Sequence, residues 1–154
     1  MSFPSRAAIK EQFQHMADGD YEAFFKKVSP DVDWTVMGTH PCAGRYHSLQ
    51  DFQEATLKRL GAIMQAPGMK LALRNVIGGG DQPWATAELV TNAVCKNDFH
   101  FDNCYAWVVR YNEQGIIVEV RAYLDSWMVN QAIVENEDKD AKSNRAPVPR
   151  VGDL

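Results

Sequence analysis

The hydrophobic period of this chain changes at Ala66-Pro67-Gly68. Before that point apolar residues recur at helical spacing, as in Ile9, Phe13 and Met16, then Phe52, Ala55, Leu60 and Ile63. After it the period falls to two, and four strand-like runs are separated by turn residues. That order predicts an α+β domain in which N-terminal helices cover one face of a strongly curved antiparallel sheet.

The punctuation is legible residue by residue. Pro4-Ser5 opens a first helix, and Gly19 can take the left-handed conformation after its end. Asp20 can cap a short second helix carrying Tyr21, Phe24, Phe25 and Val28, which Ser29-Pro30 ends. Asp33-Trp34-Thr35-Val36-Met37 reads as a first strand, and Gly38 to Tyr46 as a loop. Ser48 then caps one longer helix running to about residue 64. Runs 70–77, 84–94, 99–111 and 116–127 form a meander.

With 154 residues the chain predicts one domain. A formal charge of -4 gives no general attraction to nucleic acid or acidic membranes. No apolar run reaches the ~18 residues of a membrane span, and the start lacks the apolar core of a signal peptide. Three cysteines without a CxxC pair fit a reducing, cytoplasmic setting. Cys95 and Cys104 read as buried apolar residues and Cys42 as a loop thiol. The expected division is a cone-forming domain over 1–134 and a charged, mobile tail over 135–154, where Pro147 and Pro149 preclude a continuous helix.

Alternation assigns faces. Trp84, Thr86, Glu88, Val90 and Asn92 share one side of the second meander strand; Phe99, Phe101, Asn103, Tyr105, Trp107 and Val109 share one side of the third. Val118, Val120, Ala122 and Leu124 oppose Tyr123 and Asp125 on the fourth. Both sides of the third strand are largely apolar, so one lines the core or a pocket. The other is expected under a second copy of the chain, or under the C-terminal arm.

The run Phe101-Asp102-Asn103-Cys104-Tyr105, then Gly115, then Glu119-Val120-Arg121-Ala122-Tyr123-Leu124-Asp125 resembles the C-terminal half of SnoaL-like and ketosteroid-isomerase-related proteins. Asp33-Trp34-Thr35, Gly38, Pro41, Ala43-Gly44 and Tyr46 resemble the first strand and loop of the same nuclear transport factor 2-like superfamily. The resemblance covers roughly residues 5–134. It implies a cone-shaped α+β barrel with a deep pocket, and frequent dimers packed through the sheet. The reaction must be argued from the site.

Asp125 matches the Asp of the family's Tyr-x-Asp motif, a position that carries the catalytic carboxylate in some relatives. A carboxylate held in an apolar cone can exchange protons near neutral pH. The alternative is a cap on nearby backbone or a pair with Arg121. His40 offers a titratable group in a loop expected to overhang the pocket, or is merely exposed there. Glu88 competes for the base role if its face is concave and is an interface group if it is not. Trp34, Asn103, Tyr105 and Trp107, with Tyr46 and Tyr123 behind them, would form a wall for a flat ligand and donors to an enolate, or plain core.

The histidines are dispersed, so no metal is expected, and neither a phosphate loop nor a GxGxxG fingerprint suggests a cofactor. The expected function is cofactor-independent proton-transfer chemistry, isomerisation or cyclisation, on a small apolar or polycyclic carbonyl metabolite of natural-product biosynthesis. The competing readings are a non-catalytic binding or interaction module, and a carboxylate-assisted hydrolase or dehydratase.

Overall fold

In the computed structural model, which describes residues 2–137, the helices begin where the sequence places their caps. The Ser5 hydroxyl accepts from Ala8 N at 3.1 Å and starts α1 (Arg6–Ala17). Asp20 accepts from Ala23 N at 3.1 Å and starts α2 (Tyr21–Phe25). Ser48 accepts from Asp51 N at 3.1 Å and starts α3 (Leu49–Ala55). Between α1 and α2, Gly19 has a φ of +82°, the left-handed turn expected there.

Three elements depart from expectation, each for a local reason. Helix α2 stops at Phe25, and Val28 opens a long strand, β1 (Val28–Val36), instead of closing a helix. Pro30 is tolerated because β1 is irregular between Val28 and Asp33. Part of the expected loop is a short strand, β2 (Gly44–Tyr46). The single long helix breaks at Thr56 into α3 and α4 (Leu57–Gly61). The Thr56 hydroxyl donates to Phe52 O at 2.6 Å, on the carbonyl that the Thr56 N–H also uses. Such back-bonding competes with the helical ladder.

The sheet is larger than a meander. Strands β3 (Ala72–Gly78), β4 (Trp84–Val90), β7 (Cys104–Tyr111) and β8 (Ile117–Leu124) pair antiparallel as expected. Strand β1 then adds parallel to β8, with Trp34 opposite Val120, and β2 adds to β1. The order β2-β1-β8-β7-β4-β3 is a mixed sheet, not a purely antiparallel one. Two of the long runs are also interrupted: β5 (Ala93–Val94) and β6 (His100–Phe101) fold away as a separate pair.

Burial decides the faces. Ala85, Ala87, Leu89, Phe101, Trp107, Val109, Tyr111, Val120 and Ala122 all point inward. A register irregularity between Arg110 and Tyr111 turns Ile117 inward instead of Val118. The concave side packs on α1, α2 and α3 through one aromatic cluster. In it Phe13 lies 5.0 Å from Phe24, and Trp34 stacks on Phe52 at 3.7 Å and 15°. A second cluster joins Leu60, Ile63, Met64, Cys95 and Phe101 to Val129, Ala132 and Ile133 of α5 (Ser126–Asn136). Because α5 runs to Asn136, residues 135 and 136 are helical and not part of a tail. Arg59 binds Glu137 through two bonds of 2.6 and 2.8 Å. The rest of the expected tail, 138–154, lies outside the described residues.

Gly38 ties the loop after β1 to α5. Its φ is +116°, and a Cβ there would meet Ser126 Oγ at 2.5 Å and His40 Cδ2 at 2.8 Å. Gly38→Ala is expected to destabilise the fold by about 1–3 kcal/mol. Urea unfolding would show a lower midpoint with an unchanged slope.

Candidate active site

The space between α3, α4, α5 and the concave sheet narrows to a partly open chamber of about 40 Å³. That is room for about three waters. Strands β1 and β7 bring Trp34, Tyr105 and Trp107 to its wall, and the loop after β1 brings His40 and Cys42. The loop does not overhang a mouth: His40 and Cys42 are both buried within it. Thr56 enters at the break between α3 and α4. The chamber sits on the seam between the two apolar clusters, with Trp34 and Phe52 from one and Cys42, Leu60 and Val129 from the other.

A groove of about 640 Å³ lies outside it, between α2 and α4. Tyr21, Phe25, Leu57 and Met69 make its apolar floor, and Glu22, Lys26 and Lys58 its charged rim. Leu57 and Met69 line both spaces. Tyr21 donates to Met69 O at 2.7 Å and holds that junction.

His40 is wired to its own loop. Cys42 N–H donates to Nδ1 at 3.2 Å, so Nδ1 is unprotonated in this arrangement. The proton is then on Nε2, which lies 3.0 Å from Met37 O and donates to it. Tyr105 is the phenol of the chamber, and burial pushes its pKa far above the ordinary value. It is therefore a neutral donor and not a base. Burial also pushes the Cys42 thiol up to about 12, despite the opposing influence of Arg59, so it is no thiolate nucleophile near neutral pH. Among the described residues no group of three His, Cys, Asp or Glu side chains could hold a metal ion.

The other sequence candidates fall elsewhere. The Asp125 carboxylate accepts from Met128 N at 3.1 Å as the N-cap of α5, on an exposed residue that does not line the chamber. Glu88 is exposed on the convex face, where it accepts from Asn75 Nδ2 at 3.0 Å, and Tyr123 is exposed on the same side. This corrects the concave option for Glu88 and the pocket place for Tyr123: both follow from Ala87 and Ala122 pointing inward beside them. Tyr46 is buried behind the chamber, donating to Cys42 O at 2.8 Å. Cys104 is exposed and not a core residue, whereas Cys42 is buried. Asn103 is a latch. Its Oδ1 accepts from Cys104 N at 2.8 Å and Asp125 N at 3.0 Å, which joins the start of β7 to the end of β8. Cys42, Thr56, Leu57 and Met69 were not singled out as site residues. Only Cys42 carried a signal, its place two residues after His40.

No family model matches the chain. Two curated relatives align over 135 residues, 88% of this chain. They are the dimerizing cyclase phiC of a fungal species (strain ATCC 74256), 31% identical, and the dimerizing cyclase tstC of Talaromyces stipitatus, 33% identical. The aligned part is 59% and 60% of their lengths, so the chain spans about three fifths of the relatives it matches. Among solved structures, an NTF2-like protein from Burkholderia thailandensis superposes with a TM-score of 0.68 at 22% identity, covering 81% of this chain and 93% of that one. IdmH of Streptomyces antibioticus, described as a candidate polyketide cyclase, gives 0.61 at 14% identity over 82% and 95%.

The placements of Asn103 and Asp125 separate structural from chemical roles. Asn103→Ala strands two backbone donors beside a buried position and is expected to cost about 2–4 kcal/mol in chemical unfolding. Asp125→Asn keeps a good cap and should leave stability and turnover nearly unchanged, while Asp125→Ala should cost about 1 kcal/mol. A large loss of turnover in Asp125→Asn at unchanged stability would return that carboxylate to the chemistry.

Proposed function

We propose that this chain, which has the nuclear transport factor 2-like fold, is a cofactor-independent cyclase acting on an apolar carbonyl metabolite of natural-product biosynthesis. The observation that carries this reading is the chamber, where an imidazole and a protonated phenol line a small, largely apolar space that adjoins a large apolar groove. The likeness to two dimerizing cyclases supports it. The word dimerizing in those names fits a reaction that joins two substrate molecules while closing a ring.

Ring closure at the carbon next to a carbonyl needs a base, a donor to the enolate oxygen, and two reacting carbons held together. Tyr105 serves as a donor. His40 serves as the base once Nδ1 exchanges the 3.2 Å bond from Cys42 N for the substrate proton. Asp125 holds the start of α5, which forms one side of the chamber. Among the described residues no helix is long and apolar enough to cross a membrane, and a reducing cytoplasm suits the free cysteines. A homodimer through the convex sheet face belongs to the same reading. There Ile77 and Tyr123 are exposed, and Arg110 and Arg121 lie over Trp84 at 5.8 and 4.8 Å.

One observation favours a second reading, a carrier without chemistry: among the described residues no carboxylate lines the chamber. Deuterium exchange separates the two. The protein is incubated in D₂O with a panel of apolar ketones and 1,3-dicarbonyl compounds, and exchange at the α-carbon is followed by mass spectrometry, together with the masses of cyclised or coupled products. A cyclase accelerates exchange and His40→Gln lowers it at least ~100-fold. Ketones that bind without exchange or coupling would make the protein a carrier. For the dimer, Tyr123→Glu is expected to halve the mass measured by sedimentation equilibrium; an unchanged mass places the contact elsewhere.

A further inference from the structure

Gln12 is 4% exposed, yet its Nε2 has no hydrogen-bond partner among the described residues. Its Oε1 is occupied: the Tyr111 hydroxyl donates to it at 2.8 Å. Burial pushes the Tyr111 pKa up, so the phenol keeps the proton it gives to that bond. The amide therefore meets the rest of its surroundings as a donor only. Leaving a buried N–H group unpaired is costly, and native folds seldom do so without a use.

Gln12 also lines a pocket of about 300 Å³. This pocket is remote from the chamber. Tyr105, on the chamber wall, and Tyr111, bonded to Gln12, stand near opposite ends of β7, ~20 Å apart at the rise of a strand. Among the described residues none lines both spaces. Three backbone segments build the pocket with α1, and each is held by hydrogen bonds. In the N-terminal segment Phe3 N donates to Gly80 O at 2.9 Å and Pro4 O accepts from Gly80 N at 2.8 Å. In the β7–β8 turn Asn112 Oδ1 accepts from Gln114 N and Ile116 N, both at 3.0 Å. Between α2 and β1, Lys27 O accepts from Ile117 N at 2.9 Å.

The lining is chemically mixed. Phe3, Pro4 and Ala8 give it an apolar side, Gln12 a shielded donor, Lys27 a cation and Glu113 a carboxylate. Neither Lys27 nor Glu113 takes part in an ion pair among the described residues. A space of about 300 Å³ is at the lower end for small-molecule sites and equals a sphere roughly 8 Å across. One compact ligand can thus reach all of these groups. An anionic head answers to Gln12 and Lys27, a cationic head to Glu113, and a short apolar body to Phe3, Pro4 and Ala8. We infer that this pocket binds a free α-amino acid with an apolar side chain, its carboxylate on Gln12 Nε2 and Lys27 and its ammonium on Glu113. Such a molecule carries both charges on one carbon, which suits so small a space. Its bond to Gln12 forms away from bulk water, where hydrogen bonds are strongest. The site is separate from the chamber and does not depend on the reaction proposed there.

The test uses the full chain, ¹⁵N-labelled, and L-leucine as the probe. Leucine is expected to shift the Gln12 side-chain amide signals, assigned through bonds, and to bind more tightly than either half of itself. 4-Methylpentanoate lacks the ammonium and 3-methylbutylamine lacks the carboxylate. Lys27→Gln and Glu113→Gln change exposed groups and should each weaken leucine binding roughly twofold to fivefold. Lys27→Gln should leave 3-methylbutylamine unaffected, and Glu113→Gln should leave 4-methylpentanoate no weaker. Gln12→Glu still accepts from Tyr111 but exchanges the donor for a like charge, and should weaken leucine at least ~10-fold. Should that variant fail to fold, the wild-type amide signals and the two exposed variants decide. A Gln12 amide unmoved by saturating leucine overturns the site, and so does a long-lived water contact on that amide that leucine leaves in place, since the donor then serves a buried water only. Equal binding of leucine and its two halves, or no binding by leucine, valine or phenylalanine, overturns it as well.

Discussion

The stack of Trp34 on Phe52 is the contact on which the rest of the interior depends. Its 3.7 Å separation joins the first strand of the sheet to the helix that covers it. Trp107 from β7 and Phe25 from α2 close on the same indole, at 5.1 and 6.3 Å. One side chain thus ties the sheet, α2 and α3 together, and its burial is worth several times an ordinary apolar contact. The same contact sets the limits of the chamber, since the aromatic rings that could have walled a wide cone fill it instead.

Around that centre the polar groups divide into two kinds. Most buried donors and acceptors are used to shape backbone: Asn103 bridges two strand ends, Thr56 breaks a helix, and His40 folds its own loop. The ion pair of Arg59 with Glu137 joins α4 to the last turn of α5. It is largely shielded from solvent and bidentate, so removing one partner would leave the other charge poorly solvated. Trp34 Nε1 does not follow this pattern: it is buried without a hydrogen-bond partner among the described residues.

Much of this was legible in the chain. Ser5, Asp20 and Ser48 marked helix starts because a cap needs only a side-chain oxygen and a free N–H three residues on. Alternation grouped Trp107 with Val109, and Val120 with Ala122, on shared faces, since side-chain direction in a strand is a local property. The family pattern of Tyr123-Leu124-Asp125 was also visible, yet it did not reveal what Asp125 does. A carboxylate at a strand end next to a helix start can cap or catalyse, and the residue type is the same for both. Glu88 was ambiguous for a related reason: alternation pairs residues on a face without saying which face is concave.

The sequence by itself determined the local periods, the caps, the turns and the sharing of strand faces, because each depends on neighbours a few residues apart. Only the tertiary structure decided that β1 lies parallel to β8, some 85 residues away, with Trp34 opposite Val120. No local period encodes such a pairing, since many registers satisfy the same alternation and burial of the whole aromatic cluster selects among them. That choice narrowed the cone to a small chamber, turned His40 inward, and left the Trp34 indole N–H buried without a partner among the described residues.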